Sequence, residues 1–389
     1  MEIKTLGELC SIVSGGTPAR SKAEFWNEGM IPWIKIGNIK GKYVNKADEY
    51  ITQAGLAGSS AKLLPKGTVL YTIFATLGEV GVLGIDACTN QAIAGLMIKD
   101  EKQLNTDYLY YYLKSKKSFV NSVGRGVAQN NINMSILRSF ELPLPELSKQ
   151  KDIIEILDKV ATIIETRQQE LQKLEDLIKA RFVELFGDMF LNTMMWDEQH
   201  LESMADVISG ITKGRKVKEK NLIEVPYMAV SNVKDGYIDW TTVKTIKATE
   251  QEINQYRLLP DDVLMTEGGD PDKVGRGAII KIPLENCIHQ NHIFRVRLNE
   301  RVILPAYFAE YLQHQRAKRY FLGCAKQTTG IASINMKQLR TLPVLLPPME
   351  RQEQFADFVS QVNKSKLKVE ESLKKMETLQ KSLMQQYFG

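Results

Sequence analysis

The chain has 389 residues, 43% of them hydrophobic, which allows two or three domains with buried cores. It contains no run of about 18 apolar residues and its N-terminus lacks an apolar signal core, so neither a membrane span nor secretion is predicted. The net charge is only +5 at pH 7, and the 4 cysteines are far apart without metal-type spacing. These features predict a cytoplasmic protein with reduced, mostly buried thiols.

Residues 1–147 are predicted to form a small α+β domain. Its short strand-like runs lie at 31–37, 68–74 and 93–98. A helix is expected near 105–118. The glycine-rich stretch Gly78–Gly84 has the wrong spacing for a dinucleotide-binding fingerprint, so it predicts a turn between strands.

A long helix is predicted for residues 148–190, with Ser148 as its N-cap. It follows a proline-bounded run at 140–145, which we interpret as an edge strand or connector because proline cannot continue a helix or a central strand. Apolar side chains then recur in alternating steps of four and three, a heptad seam with two arginine interruptions. The seam positions are Ile153, Leu157, Val160, Ile164, Arg167, Leu171, Leu174, Ile178, Arg181 and Leu185.

Residues 191–347 are predicted to form a second α+β domain, followed by a second long helix over 348–389 that starts near Met349. The strand-like runs of this domain lie at 226–231, 262–266, 278–282 and 292–298, and its helix lies near 304–319. The second long helix has a heptad seam of its own, with polar interruptions at a lysine and a glutamine. Its positions are Phe355, Val359, Val362, Lys366, Val369, Leu373, Met376, Gln380, Leu383 and Tyr387.

The two helical segments are copies of one another. Ile132-Asn133-Met134 recurs 202 positions later as Ile334-Asn335-Met336, and the match continues without a gap to Phe186-Gly187 and Phe388-Gly389. An internal repeat constrains the architecture before any other assignment. Two helices with matching seams most simply pack on each other, and the alternative is two amphipathic helices that each lie on their own domain. A neighbouring apolar row that could serve a partner subunit consists of Ile156, Ile163, Leu177, Phe182 and Phe186.

The two globular parts are related more weakly. The matched segments are Ser11–Thr17 with Asp206–Thr212, Ile31–Asn38 with Val225–Asn232, Leu63–Leu70 with Leu258–Leu264, Cys88–Gln91 with Cys287–Gln290, and Tyr112-Leu113 with Tyr311-Leu312. Framework segments recur, whereas the stretches between them diverge and change length. That pattern is typical of one scaffold that carries two different recognition surfaces on its loops.

The motifs of an enzyme are missing. The chain has no Gly-x4-Gly-Lys-Ser/Thr phosphate loop and no Asp/Asn-Pro-Pro-Tyr/Phe motif of an amino-methyltransferase, for which Leu346–Met349 is no substitute because it lacks the amide or carboxylate. His289 and His292 lie too close together to form a metal site without further ligands that the sequence does not place. We therefore predict no catalytic residue and no metal ligand.

Polar loops rich in Gly, Thr, Asn, Gln and Arg stand out instead. Asn and Gln pair bidentately with adenine, Arg and Lys pair with guanine, and glycine-loop N–H groups hold phosphates. Each loop alone is more often a simple turn, but their placement in both halves predicts nucleic-acid reading. The candidate DNA-binding residues are Ser14, Gly15, Gly16, Thr17, Thr72, Thr76, Arg125, Gln129, Asn130, Lys213, Arg215, Lys216, Thr266, Gly268, Gly269, Asp270, Lys273, Arg276, Gln290, His292, Lys326, Gln327 and Thr328.

Basic clusters accompany these loops. Lys213–Lys220 and Arg316–Arg319 are the strongest, and Lys114–Lys117 occupies the place corresponding to the second of them. Such patches suit phosphate contact. The alternative for each cluster taken alone is an ordinary solvated surface.

The chain resembles the specificity (S) subunit of type I restriction–modification systems over essentially its whole length. The resemblance is carried by the twice-used Pro-x4-Gln motif before a heptad helix, Pro145 to Gln150 and Pro347 to Gln352, and by Ser14–Pro18 and Ile31–Trp33. The segment Thr266–Gly277, together with Gln290–His292, is similar to one of the recurrent target-recognition-domain types of the family. The first half lacks this glycine-rich acidic loop, so the two halves are expected to read different sequences.

The resemblance implies an α+β fold with two tandem target recognition domains of similar fold. Two long antiparallel helices forming a coiled coil would separate them, with pseudo-two-fold symmetry, and would set the number of unread base pairs. The chain would read a bipartite, asymmetric site in double-stranded DNA and dock two modification subunits that bind S-adenosylmethionine and methylate adenine N6. Restriction and translocase subunits would join through them, and this chain would bind no cofactor.

Two other functions stay open at this point. One is a DNA methyltransferase with a divergent active site, fused to its own recognition domain. The other is a bilobed scaffold that binds only protein.

Overall fold

The structure is a computed structural model that describes residues 2–124, 131–216, 221–270, 274–328 and 331–389. The chain divides into two compact units, the first made of Met1–Gln169 with Glu370–Gly389 and the second of Glu170–Val369. Each unit therefore contains one globular domain and part of both long helices. Among the described residues, no helix combines the length and apolarity that crossing a membrane requires.

The first half of the chain alternates short strands and short helices before the first long helix. Its elements are β1 (Glu2–Thr5), α1 (Leu6–Leu9), β2 (Cys10–Ser14), β3 (Ile31–Ile34), β4 (Tyr43–Val44), β5 (Glu49–Ile51), α2 (Gln53–Ala57), β6 (Val69–Thr72), β7 (Val80–Leu83), β8 (Cys88–Thr89), β9 (Ile93–Ile98), α3 (Thr106–Ser115), α4 (Lys117–Gly124), α5 (Met134–Arg138), β10 (Glu141–Leu144) and α6 (Leu147–Phe186).

Three sheets organise the first unit: a five-stranded sheet in the order β2-β9-β6-β7-β4, a three-stranded sheet β5-β3-β8, and the ribbon β1-β10. The central strand β6 is buried on both faces because its side chains alternate between two cores. Val69 and Tyr71 pack in the core that contains α3, whereas Leu70 packs in the core that contains Ile34 and Leu64. This two-sided burial explains why the central strand reads as a continuous apolar run.

The second half repeats this order of elements with some additions. Its elements are β11 (Asp197–His200), β12 (Ala205–Ser209), β13 (Ile223–Met228), β14 (Lys244–Ala248), α7 (Glu250–Tyr256), β15 (Val263–Thr266), β16 (Gly268–Gly269), β17 (Gly277–Ile279), β18 (Ile288–His289), β19 (Ile293–Leu298), α8 (Pro305–Gln313), α9 (Gln315–Cys324), β20 (Lys326–Thr328), β21 (Ile331–Ser333), α10 (Met336–Arg340), β22 (Pro343–Leu346) and α11 (Met349–Phe388).

The sheets of the second unit have the topology of those in the first. The order β12-β19-β15-β17 corresponds to β2-β9-β6-β7, β14-β13-β18 corresponds to β5-β3-β8, and β11-β22 corresponds to β1-β10. A third small sheet, β16-β21-β20, lies where the first unit has an isolated bridge between Phe74 and Asn131. The duplication that the sequence shows clearly only around the helices therefore extends through both globular domains.

Strand register corrects one segment of the sequence match between the halves. Cys88–Gln91 was predicted to correspond to Cys287–Gln290, but Trp33 pairs with Cys88 whereas its counterpart Tyr227 pairs with Ile288. The match is therefore shifted by one residue. A shift of one position turns every side chain to the other face of a strand, so the shared cysteine misled the sequence comparison.

Several predicted boundaries also change. The helix expected near 105–118 is two helices that divide at Lys116, and its counterpart divides at His314. The first long helix begins at Leu147, so Ser148 is its second residue and not its N-cap. The proline-bounded runs before the long helices are strands of two-stranded ribbons, in agreement with the predicted edge position.

The predicted heptad seams are the covered faces of both long helices. Every seam position from Ile153 to Leu185 in α6, and from Phe355 to Tyr387 in α11, is buried or half-buried. One of the polar interruptions pairs with the other long helix, since Lys366 Nζ of α11 lies 3.1 Å from Glu175 Oε1 of α6. The neighbouring apolar row is divided, because Phe182 and Phe186 are buried whereas Ile156, Ile163 and Leu177 are exposed.

Opposite ends of the two long helices meet within each unit. In the first unit, Phe388 of α11 shares a core with Ile153 and Leu157 of α6 and packs its ring 5.2 Å from that of Tyr108. In the second unit, Phe186 of α6 packs 5.6 Å from Phe355 of α11. The helices are therefore antiparallel, and each one ends on a phenylalanine inserted into a globular core.

The repeated Pro-x4-Gln motif is a buried clasp between each long helix and its domain. Gln150 accepts a hydrogen bond from the N–H of Asn105 at 2.9 Å and donates to the carbonyls of Gln103 and Pro145 at 2.7 and 2.9 Å. Gln352 makes the equivalent three bonds in the second unit. Both side chains are buried. Each glutamine therefore provides hydrogen-bond partners for backbone groups just before α3 or α8 and for the carbonyl of the proline that follows the proline-bounded strand.

Candidate nucleic-acid interface

In the first unit, three strand ends converge on one polar edge. β2 and β6 both end where β9 begins, because each pairs antiparallel with it. The N–H of Ile73 donates to the carbonyl of Ala92 at 2.8 Å, and the Thr17 hydroxyl contacts the Gln91 side-chain oxygen. The edge contains the predicted residues Ser14, Gly15, Gly16, Thr17, Thr72 and Thr76.

Gly15 and Gly16 serve the packing of this edge. Their N–H groups donate to the carbonyls of Ile93 and Thr89 at 3.0 and 2.8 Å. A Cβ atom at Gly15 would lie 2.2 Å from the carbonyl oxygen of Asn90, so only glycine fits there. The two amide groups are already used within the fold and are not free to hold a phosphate.

Thr72 and its counterpart Thr266 are fully buried. The Thr72 hydroxyl donates to the Thr76 carbonyl and accepts the N–H of Glu79 at 2.8 Å, so it closes the turn after β6. Thr266 Oγ1 has no hydrogen-bond partner within the described part of the chain. Because neither hydroxyl reaches the surface, contacts with DNA at these turns would come from their exposed neighbours.

The turn after β6 presents three exposed residues, Phe74, Ala75 and Thr76. Ala75 has a φ of 61°, in the left-handed region that residues with a Cβ rarely adopt. Phe74 is 39% exposed and forms a backbone bridge with Asn131. The sequence prediction included Thr76 but overlooked Phe74, which is the more unusual of the two on a polar edge.

The second unit forms the same edge with different side chains. The N–H of Glu267 donates to the carbonyl of His292 at 3.0 Å, and Gly268 pairs with Ser333. Around this frame the structure brings together the predicted residues Thr266, Gly268, Gly269, Asp270, Arg276, Gln290, His292 and Lys326. Asp270, His292 and Lys326 are exposed, whereas Arg276 and Gln290 are half-buried. The edge thus carries both basic and acidic groups.

The loop after β12 adds Lys213, Arg215 and Lys216 to the second unit. Both lysines are exposed, but Arg215 forms a bidentate ion pair with Glu252, with its Nε atom 2.6 Å from Oε1. The hydrogen bond from Arg215 lowers the pKa of the Glu252 carboxyl. Arg215 therefore anchors the loop that presents the two lysines.

An equivalent arginine in the first unit was missed at the sequence level. Arg20 lies five residues after Gly15, as Arg215 lies five residues after Gly210. Its guanidinium carbon is 3.7 Å from the ring centroid of Trp26, and it pairs with Glu49 at 2.5 Å. The matching distance from the glycine in both halves is the signal that could have identified it.

Some predicted residues cannot be placed. Arg125, Gln129, Asn130 and Lys273 lie outside the described residues. Gln327 and Thr328 lie in β20, which pairs with β21 beside Gly268 and Gly269, but only their backbone is described. The assignment of all these residues to DNA contact stays a prediction.

Two of the three basic clusters are used within the fold. Lys116 donates from Nζ to the carbonyl of Phe388 at 2.9 Å, near the C-terminus of α11, and Lys117 pairs with Glu79 at 2.6 Å. In the second unit, Arg316 donates to the carbonyls of Met189 and Phe190 at 3.2 and 3.1 Å. These cations hold helix ends and the chain after α6 in place, whereas Lys213 and Lys216 of the third cluster are exposed at the edge.

His289 is a buried neutral base beneath the second edge. Its Nδ1 lies 3.0 Å from the carbonyl oxygen of Ile293, to which it donates as the protonated nitrogen, and Nε2 has no partner within the described part of the chain. Burial lowers the pKa of this imidazole to about 4. His289 occupies the position that Thr89 has in the first unit, so the two edges differ in the titratable groups beneath them.

Acidification is expected to destabilise the second unit through His289. The folded state holds the ring neutral, whereas the unfolded chain takes up a proton as the pH falls through about 6.5. Stability present above that pH is therefore lost on the way towards pH 4, by about 2 kcal/mol between pH 7 and pH 5. Urea denaturation of the wild type and of His289→Gln at several pH values tests this. A pH slope that is unchanged in the variant would contradict it.

Among the described residues, no group of three or more His, Cys, Asp or Glu side chains is arranged to hold a metal ion. The four cysteines are free thiols, three of them buried. Burial raises the pKa of Cys10 and of Cys287 to about 12, so neither is a reactive thiolate at neutral pH.

Comparisons with known proteins connect the fold to one family. A family model described as the type I restriction modification DNA specificity domain matches residues 1–176 and 195–378. The EcoKI specificity subunit of Escherichia coli K12 is 23% identical over 383 residues, which covers 92% of this chain and 81% of the relative. The StySPI specificity subunit of Salmonella potsdam is 23% identical over 378 residues, covering 91% and 80%.

Two solved structures share the fold. The S subunit of a type I restriction–modification system from M. genitalium aligns with a TM-score of 0.55 at 16% identity, covering 100% of this chain and 96% of that one. A chain from a study of complex assembly and conformational transition of the type I R-M system aligns with a TM-score of 0.60 at 16% identity, covering 100% and 97%.

Proposed function

Because this chain belongs to the family of type I restriction–modification DNA specificity subunits, we propose that it reads a bipartite, asymmetric site in double-stranded DNA. Each unit would read one part of the site with its polar edge. The observation that carries this proposal is the duplicated edge, in which one backbone frame holds two different sets of side chains. Equivalent positions are Ile73 and Glu267, Phe74 and Gly268, Ala92 and His292, and Asn131 and Ser333.

The chemistry of both edges suits contact with bases and phosphates. The first edge exposes Thr76 and Gln91, and the second exposes Lys213, Lys216 and Lys326. Amide and hydroxyl groups hydrogen-bond base edges in the major groove, and lysines contact phosphates or guanine. Because the residues at equivalent positions differ, the two parts of the DNA site would differ too, which makes the site asymmetric.

We propose that the chain docks two modification subunits on equivalent surfaces of its two units. Each unit has a shallow groove between the first turns of its long helix and the start of an earlier helix, α3 in the first unit and α8 in the second, of about 710 Å³ and about 420 Å³ respectively. The exposed residues Ile156 and Ile163 extend the apolar surface of α6 beside the first groove. Equivalent lining residues are Asn105, Ile154 and Asp158 in the first groove and Leu304, Ala356 and Ser360 in the second.

In this proposal the chain itself is not an enzyme and acts in the cytoplasm. S-adenosylmethionine would be bound by the modification subunits, which would transfer its methyl group to adenine N6, and restriction subunits would join through them. The repeated position of the grooves supports two copies of the modification partner, since a duplicated scaffold offers the same surface twice.

A methyl-transfer assay with labelled S-adenosylmethionine tests this division of labour. This chain alone and the modification subunit alone should each transfer little label to duplex DNA, whereas the two together should label DNA that contains the site. Transfer by this chain alone would support the fused methyltransferase instead. A mobility-shift assay of the complex with random duplexes at moderate salt provides the second arm, because binding without any sequence preference would support a scaffold.

A further inference from the structure

We propose that Glu267 is a base-reading residue of the second unit, held in position by His292 and Asn291. It would require a base with an exocyclic amino group, cytosine or adenine, at one position of the half-site that this unit reads. This inference rests on the proposed function, because it assigns a role to one side chain on the edge that contacts DNA.

A chain of hydrogen bonds fixes the Glu267 carboxylate. His292 Nδ1 lies 2.5 Å from Glu267 Oε2, and Asn291 Nδ2 lies 3.2 Å from His292 Nε2. The Asn291 amide nitrogen can only donate, so Nε2 is the acceptor and the ring proton belongs on Nδ1, from which it is donated to the carboxylate. The ring thereby orients the Glu267 carboxylate.

The backbone of Glu267 is held as firmly as its side chain. Its N–H donates to the carbonyl of His292 at 3.0 Å, and its carbonyl accepts the N–H of Ile334 at 2.8 Å. The side chains of Glu267 and His292 are nevertheless 36% and 56% exposed. A rigid, partly exposed carboxylate at the rim of a proposed DNA-binding edge is therefore ready to meet a ligand without reordering.

A carboxylate on such an edge has a restricted set of partners in DNA. Phosphates repel it, and the acceptor atoms of guanine and thymine in the major groove offer it no hydrogen. The amino groups of cytosine N4 and adenine N6 do offer one, and cytosine is the base that Glu and Asp characteristically read. Glu267 Oε1 accepts no hydrogen bond within the described part of the chain, because His292 contacts Oε2, so Oε1 is available to such a donor.

The first unit cannot read DNA in this way. The same backbone position there is Ile73, which is buried, and the positions of Asn291 and His292 are Gln91 and Ala92. An isoleucine offers no hydrogen bond, so the amino-group requirement belongs to one half of the DNA site only. The effect of changing Glu267 should accordingly be confined to that half.

The test is the methylation motif produced by the whole complex in cells, determined by sequencing N6-methyladenine. Glu267→Gln should relax the preference for cytosine or adenine at one position of one half-site by about 10-fold or more, because the amide can also donate to an acceptor base. His292→Ala should relax the same position by a smaller factor. The matched control is Glu285→Gln. Glu285 is an exposed carboxylate in the loop that follows β17, at the end of that strand away from the polar edge.

An unchanged motif in Glu267→Gln would overturn this inference, whereas the absence of any motif with the wild type would overturn the proposed function instead. If Glu267→Gln abolishes methylation, its unfolding midpoint is compared with that of Glu285→Gln. Equal midpoints mean that the contact of Glu267 with DNA is essential for methylation, which supports the inference. If the unfolding midpoint of Glu267→Gln is lower, His292→Ala becomes the deciding variant. An unchanged base preference at every position of its methylation motif would also overturn the inference.

Discussion

Replacing Gln352 with leucine is expected to destabilise the second unit by about 4 kcal/mol, because a buried donor or acceptor left without a partner costs about 1–3 kcal/mol. The glutamine oxygen accepts the N–H of Leu304 at 2.8 Å, and its amide donates to the carbonyls of Pro347 and Val302 at 2.9 and 3.3 Å. Leucine has a similar size but serves none of these three groups. Urea denaturation, followed through the transition of the second unit, measures the loss.

Gln354→Leu is the matched control, since it makes the same chemical change two residues later on the same helix. That side chain is exposed, and within the described residues its one hydrogen bond is a long contact with Glu350, at 3.5 Å. Its replacement should change the free energy of unfolding by less than about 0.5 kcal/mol. Equal effects of the two substitutions would show that the clasp contributes nothing specific. Gln150→Leu should act on the first unit as Gln352→Leu acts on the second.

Adding one heptad to both long helices, at equivalent positions, is expected to lengthen the unread gap in the DNA site by about three base pairs. Seven helical residues add about 10 Å, and successive base pairs are about 3.4 Å apart. A full heptad keeps the seam of α6 and α11 in register, so the helices should still pair. The methylation motif of the modified complex, compared with that of the wild type, measures the gap.

A five-residue insertion at the same positions is the control for this experiment. At 3.6 residues per turn it rotates the downstream seam by about 140°, so the apolar positions no longer face the partner helix and we expect loss of assembly and of methylation. A heptad-extended protein that methylates the original motif with its original gap would contradict the proposal that the paired helices set the spacing.

The helical part of the fold could be predicted from sequence because its signal is periodic and repeated. The heptad steps from Ile153 to Leu185 recur 202 residues later, and every predicted seam position is covered in the structure. The packing of Phe186 and Phe388 into globular cores could not be predicted, because contacts between distant segments leave no periodic trace. The burial of Gln150 and Gln352 was missed for the same reason, although the motif itself was visible.

The candidate site was predicted less well than the fold. The sequence identified the glycine and threonine loops. It could not show that the N–H groups of Gly15 and Gly16 and the hydroxyl of Thr72 make hydrogen bonds within the fold, which leaves them unavailable to DNA. Glu267 and His292 are 25 residues apart, and only the antiparallel pairing of β15 with β19 brings them together. Sequence comparison could not show which residues pair across neighbouring strands. The match at Cys88, which is shifted by one residue, has the same cause.

The most direct test of sequence reading by the two units is single-molecule sequencing of N6-methyladenine in a genome that expresses this chain with its modification subunit. The expected result is one bipartite, asymmetric motif with a constant unread gap, present only when this chain is expressed. Methylation without a motif, or the same motif from the modification subunit alone, would contradict the assignment of DNA specificity to this chain.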